Sequence, residues 1–219
     1  MRVHERRSLR FGTVLAIILA VQALTAGACG SEPATSSVVT ASSSTEMQMS
    51  TYTDPTYGFS FDYPSNWKIT NGHGTELNAG SAAETSVQAG DPDGAVVNGT
   101  GIDGVVVNVY ELNLPIDESL LPEVKPQLEA AVADLVGQDA SWEIVQPLTE
   151  AEDTPLPGFW AAFTFDWDAD HSVNTMSFFL FDGAIEYQLM FQAAVENWDA
   201  DQAIFETMLS SFKAGAGSR

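Results

Sequence analysis

The chain has 219 residues, of which 45% are hydrophobic and 10% aromatic, so it is long enough to bury one core of ordinary size. It carries 30 acidic and 8 basic residues, which gives a net charge of −22 at pH 7. A surface this negative repels phosphate backbones and anionic headgroups, which excludes nucleic acid as a partner. The chain has one cysteine, Cys29, so no disulfide can form within it.

Residues 1–28 are predicted to be a secretory signal peptide. A basic stretch with four arginines, Arg2 to Arg10, precedes an apolar run over residues 11–21. The run is shorter than the roughly 20 apolar residues that a membrane-spanning helix needs. Export by the general secretory route is favoured, and the pair Arg6-Arg7 also half-resembles a twin-arginine signal.

The end of this segment resembles the lipobox of bacterial lipoproteins, because Ala26, Gly27 and Ala28 lead directly into Cys29. In a lipobox the cysteine sulfur receives a diacylglycerol, and the signal is cut on its N-terminal side. The alternative is an ordinary signal peptide cut after Ala28, which leaves Cys29 unmodified. Two or more acyl chains, palmitate among them, hold a protein firmly at a bilayer. Cys29 is therefore the predicted lipidation site, on the extracytoplasmic face of the cell membrane.

Residues 29–50 are rich in serine and threonine and show neither helical nor strand periodicity. Such a segment buries too little apolar surface to fold, so it predicts a flexible tether, which also offers sites for O-glycosylation. Residues 1–28 hold four arginines and one glutamate, so the remaining chain keeps 29 acidic and four basic residues and a charge of −25. Residues 51–214 are predicted to form one globular domain.

Apolar, aromatic and β-branched runs predict seven strands in this domain. They cover residues 58–63, 67–70, 104–112, 142–147, 158–167, 172–181 and 185–193. In SFFLFDGAIEYQLMF two such runs are joined by Asp182-Gly183, a dipeptide typical of a type I′ hairpin turn. Residues 72–104 are rich in glycine and poor in large apolar side chains, which predicts a long, mobile, solvent-facing excursion.

Two helices are predicted. The first begins near Pro126, whose fixed φ suits the first helical position, and ends at Gly137. Its apolar face holds Leu128, Val132, Leu135 and Val136. The second runs through NWDADQAIFETMLSSFK, capped by Asn197 or Asp199. Its apolar face holds Ile204, Phe205, Met208, Leu209 and Phe212.

The sequence YTDPTYGFSFDYPSNWKI, residues 52–69, resembles the opening motif of PsbP-like domains, in which an aromatic-Gly-Phe strand leads to a Tyr-Pro-x-x-Trp turn. The hairpin at Asp182-Gly183 and the helix FETMLSSFK, residues 205–213, resemble the end of the same domain. With the lipobox and the tether, the chain is similar to the PsbP-like lipoproteins of actinobacteria, the LpqN family. The resemblance implies an α/β (α+β) fold, with an antiparallel sheet flanked by helices in an α/β/α sandwich. It also implies a non-enzymatic accessory role.

No pattern in the sequence indicates catalysis. A G-x-S-x-G elbow is missing, and His73 and His171 are the only histidines after residue 28. His73 lies in a glycine-rich loop and His171 at a turn between strands, where a histidine is more often solvated than catalytic. We therefore expect no enzymatic activity and no cofactor.

The sequence DWDAD places Asp166, Asp168 and Asp170 at alternate positions, as the first half of a calcium loop does. His171 stands where the glycine of that loop belongs, and Ser177 stands where its bidentate glutamate belongs. Alternate acids at the end of a strand also mark a solvated face. No metal site is predicted, and calcium at these three carboxylates stays an alternative.

The expected function is that of a membrane-anchored, monomeric lipoprotein that binds other cell-envelope proteins as a non-catalytic accessory or scaffold protein. The alternative is a module that binds a small molecule, a lipid or calcium. Its pocket would lie between the sheet and a helix, near Trp142, Trp160 and Phe178. A cavity of several hundred Å³ favours this alternative, whereas a filled core with an exposed apolar patch favours a protein partner.

Overall fold

The computed structural model describes residues 47–72, 83–97, 99–137 and 141–215. Cys29, the predicted signal peptide, residues 29–46 of the predicted tether and His73 lie outside these ranges. The first strand begins at Met49, two residues ahead of the predicted domain. Within the described ranges no helix has the length and apolar character to cross a membrane.

Ten strands and two helices form in the described ranges, and every strand pair is antiparallel, which confirms the predicted α+β class. The strands are β1 (Met49–Thr53), β2 (Ser60–Pro64), β3 (Lys68–Gly72), β4 (Thr85–Gly90), β5 (Val96–Val97), β6 (Thr100–Gly101), β7 (Gly104–Ile116), β8 (Glu143–Glu150), β9 (Gly158–Asp166) and β10 (Ser172–Ala194). The helices are α1 (Leu121–Gly137) and α2 (Trp198–Ser211).

The central sheet has six strands in the order β3-β4-β7-β10-β9-β8. The first part of β10, Ser172–Leu180, pairs with β9, and the second part, Gly183–Gln192, pairs with β7. A straight strand of 23 residues would hold its ends about 75 Å apart. The Val195 N–H nevertheless donates to the Ser172 carbonyl at 3.0 Å. Strand β10 therefore doubles back as a hairpin in the middle of the sheet.

The hairpin lies where Asp182-Gly183 predicts it, but its turn is of another type. Gly183 has a φ of 60°, and Asp182 is not among the residues with positive φ. A type I′ turn needs positive φ at both central residues, so that part of the prediction is wrong. The turn that forms needs a single left-handed residue, which the glycine supplies without steric cost.

Helix α1 covers the β8–β9 part of one sheet face. The cluster beneath it contains Ile116, Leu128, Val132, Leu148, Phe159, Ala161, Phe163, Phe179 and Phe181. Three residues of its predicted apolar face, Leu128, Val132 and Leu135, are buried.

The predicted start of α1 near Pro126 is wrong, because the helix begins at Leu121 and Pro126 lies inside it. The Leu120 carbonyl accepts the N–H groups of Glu123 at 2.9 Å and Val124 at 3.1 Å, and these two bonds begin the helix earlier.

Helix α2 and the β1–β2 hairpin cover the opposite face. The core between them contains Phe59, Phe61, Trp67, Val87, Ala89, Val105, Val107, Val109, Phe178, Leu180, Tyr187, Leu189, Phe191, Ala193, Phe205, Met208 and Phe212. The periodicity predicted for this helix is confirmed, since Phe205 and Met208 are buried. Asn197 is the N-cap, but its side chain does not cap and donates to Asp103 at 2.6 Å instead.

The C-terminal end of the domain closes onto the β1–β2 hairpin. Ser60 and Lys213 exchange two backbone hydrogen bonds, of 2.9 and 2.8 Å. The Asp62 N–H donates to the Ser211 hydroxyl at 2.9 Å. Gly215 packs so closely on the Tyr57 backbone that a Cβ would overlap the carbonyl oxygen. The first and last described segments of the chain therefore stabilise each other.

The prediction of a solvent-facing excursion over residues 72–104 is wrong for residues 85–90, which form β4. Strand β4 lies between β3 and β7, with Val87 and Ala89 buried. Its sequence, TSVQAG, has only these two small apolar residues, so the burial comes from the neighbouring strands and not from hydrophobicity of its own. Residues 73–82 lie outside the described ranges.

Candidate functional site

A cleft of about 410 Å³ opens between α2 and the sheet, at the side where β8, β9 and β10 lie. It is lined by Thr149, Glu150, Glu152, Trp160, Met176, Phe178, Phe191, Gln202, Phe205, Glu206 and Leu209. Pockets for small organic molecules have volumes of roughly 300–1,000 Å³ and mostly apolar walls. The cleft has the size and lining of such a pocket.

Four aromatic rings in contact with one another form the floor of the cleft. Trp160 stacks on Phe178, its register partner in the next strand, with 5.9 Å between ring centroids. Phe178 meets Phe191 edge to face at 5.9 Å, and Phe191 contacts Phe205 of α2 at 5.3 Å. Phe191 and Phe205 are fully buried, whereas Trp160 is half-buried and presents part of its ring to the cleft. The floor is thus held rigidly by the same contacts that join α2 to the sheet.

The rim of the cleft is acidic on both sides. Glu152, just after β8, lines one side, and Glu206 of α2 lines the other. Glu150, at the end of β8, also borders the cleft, but it pairs with Phe159, which packs on the α1 side of the sheet. All three carboxylates are exposed. Gln202 donates from Nε2 to Glu206 at 3.4 Å. In the described ranges no lysine or arginine lies within 4.0 Å of a carboxylate, so the negative charge of the rim is not neutralised.

Two of the three aromatic residues predicted to line such a pocket, Trp160 and Phe178, do so. The prediction for Trp142 is wrong, because its ring stacks on Phe165 at 4.1 Å and meets Phe163 at 6.0 Å. Phe163 lies on the α1 side of the sheet, whereas Trp160, on the same strand, lies on the α2 side. Trp142 therefore packs on the face opposite the cleft. The sequence analysis did not predict the other nine lining residues of the cleft: Thr149, Glu150, Glu152, Met176, Phe191, Gln202, Phe205, Glu206 and Leu209.

The acidic sequence DWDAD forms a turn, not a cation site. Asp168 Oδ1 accepts the backbone N–H groups of Asp170 at 2.9 Å and His171 at 3.0 Å, and it lies 2.7 Å from His171 Nδ1. Asp166 accepts the Ser172 hydroxyl at 2.7 Å. Among the described residues no group of three or more acidic, histidine or cysteine side chains could hold a metal. The structure therefore does not bring Asp166, Asp168 and Asp170 together.

The contacts of this turn shift the pKa values of its two partners. The Asp170 backbone N–H and the His171 ring lower the pKa of Asp168. The hydrogen bond to Asp168 raises the pKa of His171. Neither residue lines the cleft, so His171 is not placed to act as a base on a ligand there.

A buried polar row lies on the sheet face opposite the cleft. It contains Ser86, Asn108, Glu186 and Gln188, all at most 5% exposed, and Asn108 Nδ2 donates to Gln188 Oε1 at 3.5 Å. Among the described residues, Ser86 Oγ, Asn108 Oδ1 and Glu186 Oε1 have no hydrogen-bond partner. Burial raises the pKa of Glu186 to about 7. The sequence analysis did not predict this buried polar row.

No family model and no curated protein matches this chain. Among solved structures, the cyanobacterial PsbP (CyanoP) of Synechocystis sp. PCC 6803 matches with a TM-score of 0.51 and 16% identity, over 80% of this chain and 97% of that protein. LpqN of Mycobacterium tuberculosis, a protein involved in cell envelope biogenesis, matches with a TM-score of 0.45 and 11% identity, over 77% of this chain and 91% of that one.

A protein from Bacteroides thetaiotaomicron matches with a TM-score of 0.47 and 14% identity, over 77% of this chain. The match covers 49% of that protein, so the chain spans about half its length. The similarity to CyanoP shows that this chain has a PsbP-like fold, as the resemblance of its opening and closing motifs predicts.

Proposed function

We propose that this PsbP-like chain is an exported accessory protein, held at the outer face of the cell membrane by lipid on Cys29, and that it binds its ligand without transforming it. The sequence supports the anchor through the signal-like residues 1–28, the lipobox and the serine-rich tether. A flexible tether of about 20 residues reaches roughly 25 Å, which lets the domain stand clear of the bilayer.

The cleft is the observation that carries the binding part of the proposal. Its described lining has apolar, amide, hydroxyl and carboxylate groups. A rigid aromatic floor with charged groups at the mouth is suited to hold a molecule in one orientation.

The anchor is tested by following the chain in cells that express the full sequence or its Cys29→Ala variant. Ser37→Ala, a substitution of similar size within the tether, is the matched control. We expect the original chain and Ser37→Ala in the membrane fraction, and Cys29→Ala in the soluble exported fraction. Crosslinking should give the same envelope neighbours for the first two chains and lose them for the third. A Cys29→Ala chain that stays with the membrane contradicts the anchor.

A protein partner is the second candidate, and the exposed edge of the sheet favours it. Ile144 and Val145 on β8 are 39% and 62% exposed, although both are large apolar residues. An edge strand with such residues can pair with another chain. Replacing Val145 with lysine would block this contact, so a crosslinked protein that depends on the edge should be lost from the Val145→Lys chain.

A further inference from the structure

We propose that the cleft takes an organic cation, a small molecule with an apolar or aromatic body and one protonated amine or quaternary ammonium group. The inference rests on the proposed binding function and names the ligand class of the same site. It follows from the floor, the rim and the charge of the surrounding surface.

The floor selects the apolar body. Trp160, Met176 and Leu209 supply the partly accessible apolar surface over the buried rings of Phe178, Phe191 and Phe205. A volume of about 410 Å³ accepts a body of one or two rings or a short branched chain. Burial of such a body contributes affinity in proportion to the apolar area removed from water.

The floor also favours a positive charge near its edge. The face of a tryptophan ring attracts an ammonium group within about 6 Å of its centroid. Trp160 is the half-buried ring of the floor and lines the same cleft as Glu152 and Glu206. A cation over Trp160 is therefore close to the acidic rim.

The rim provides carboxylates on both sides of the mouth. Glu152 stands on the strand side and Glu206 on the helix side, and neither forms an ion pair with a described lysine or arginine. A cationic head group at the mouth can pair with these carboxylates. An anionic head group is repelled by the rim and by a chain of net charge −22. The ligand is thus distinguished from fatty acids and phosphates.

Three indole probes that differ only in their head group test this inference. Tryptamine carries an amine, tryptophol a hydroxyl and indole-3-propionate a carboxylate. Calorimetric titration uses the full chain with Cys29→Ala, which has no lipid-accepting sulfur and needs no detergent. We expect tryptamine to bind about tenfold more tightly than tryptophol, from a cation–π contact and partly exposed charge pairs, and indole-3-propionate most weakly. The preference should shrink in about 0.5 M salt.

A pair of matched double variants assigns the preference to the rim. Glu152→Gln with Glu206→Gln removes two rim charges, and Glu129→Gln with Glu143→Gln removes two exposed charges elsewhere, from α1 and the start of β8. The rim variant should lower the preference for tryptamine over tryptophol to about twofold or threefold, since exposed pairs contribute modestly, and the control should keep it.

Equal binding of the three probes, no binding of any probe, or the same change in both double variants would overturn the inference. None of these results alters the membrane fractionation of Cys29→Ala. The lipid anchor is therefore tested independently of the ligand class.

Discussion

Glu186 is a carboxylate buried in the middle of the sheet, 4% exposed, next to Gln188 and in register with Tyr110. Its Oε1 has no hydrogen-bond partner in the part of the chain that the structure describes, and burial raises its pKa from the ordinary 4.5 to about 7. Between these two values the folded state holds a proton that the unfolded state has released. The free energy of unfolding therefore falls as the pH rises from about 4.5 to 7.

We predict that Glu186→Gln stabilises the protein at alkaline pH, because the amide has no charge to bury. The gain relative to the original chain should grow by about 3 kcal/mol between pH 4 and pH 8, the equivalent of the pKa shift. Urea unfolding at both pH values measures it. Glu143→Gln, at an exposed position, is the control and should show no such growth. A gain that is equal at both pH values would refute the prediction.

At the scale of elements, Asp103 joins three parts of the fold through its carboxylate. It accepts the backbone N–H groups of Ala95 at 2.9 Å and Ala194 at 2.8 Å, and the Asn197 amide at 2.6 Å. These bonds tie the segment before β5 and the end of β10 to the start of α2. Hydrogen bonds to a buried charge are among the stronger ones in proteins.

We predict that Asp103→Asn lowers the free energy of unfolding by about 2 kcal/mol or more, because its amide turns a donor toward another donor. Asp93→Asn, at an exposed turn position, should change it by less than about 0.5 kcal/mol. Thermal or urea unfolding of the two variants measures the difference. Equal free energies of unfolding for the two variants would show that the hydrogen bonds of the Asp103 carboxylate do not stabilise the fold.

Pro126 lies inside α1, where it lacks the N–H that would bond one turn back. We predict that Pro126→Ala raises the free energy of unfolding by about 2 kcal/mol. Pro122 is the second residue of the same helix, where the N–H has no intrahelical partner. Pro122→Ala should therefore have little effect. The prediction fails if the two alanine variants gain the same stability in urea unfolding.

The elements that the sequence predicts well are those whose apolar residues repeat strongly. Helix α2 and the two halves of β10 have such patterns, and both form where they are predicted. Strand β4 was missed because its burial depends on β3 and β7, which approach it only in the folded sheet. The predicted start of α1 is wrong because proline favours the first helical position but also lies inside this helix, which the hydrogen bonds to the Leu120 carbonyl begin earlier.

The floor of the cleft was partly predictable and its rim was not. Trp160 and Phe178 are large aromatic residues on predicted strands, so a pocket between the sheet and a helix could include them. Glu150, Glu152 and Glu206 are three of 30 acidic residues, and nothing in their sequence context sets them apart. Only the packing of α2 against β10, beside β9 and β8, brings them to one opening.

At the scale of the whole molecule, the charge of the chain acts against its compact state. The described ranges contain one salt-bridge contact, between His171 and Asp168, and this pair is ionic only when the histidine is protonated. Like charges on a folded surface repel, and added salt screens that repulsion.

We predict that the urea midpoint rises when sodium chloride is increased from about 0.05 M to about 0.5 M, because screening relieves the repulsion. Replicate titrations with the uncharged solute sucrose at matched osmolality separate screening from general solute exclusion. A midpoint that falls or stays constant with salt would contradict the prediction.

The closure of Lys213 and Gly215 onto Ser60 and Tyr57 has a consequence for biogenesis. These contacts join residues about 150 positions apart in the sequence. The β1–β2 hairpin is therefore stabilised by them only after residues 213–215 have been made. A nascent chain still on the ribosome lacks that stabilisation and stays short of its native topology. The β1–β2 hairpin is therefore among the parts of the domain that become stable late, after residues 213–215 have joined it.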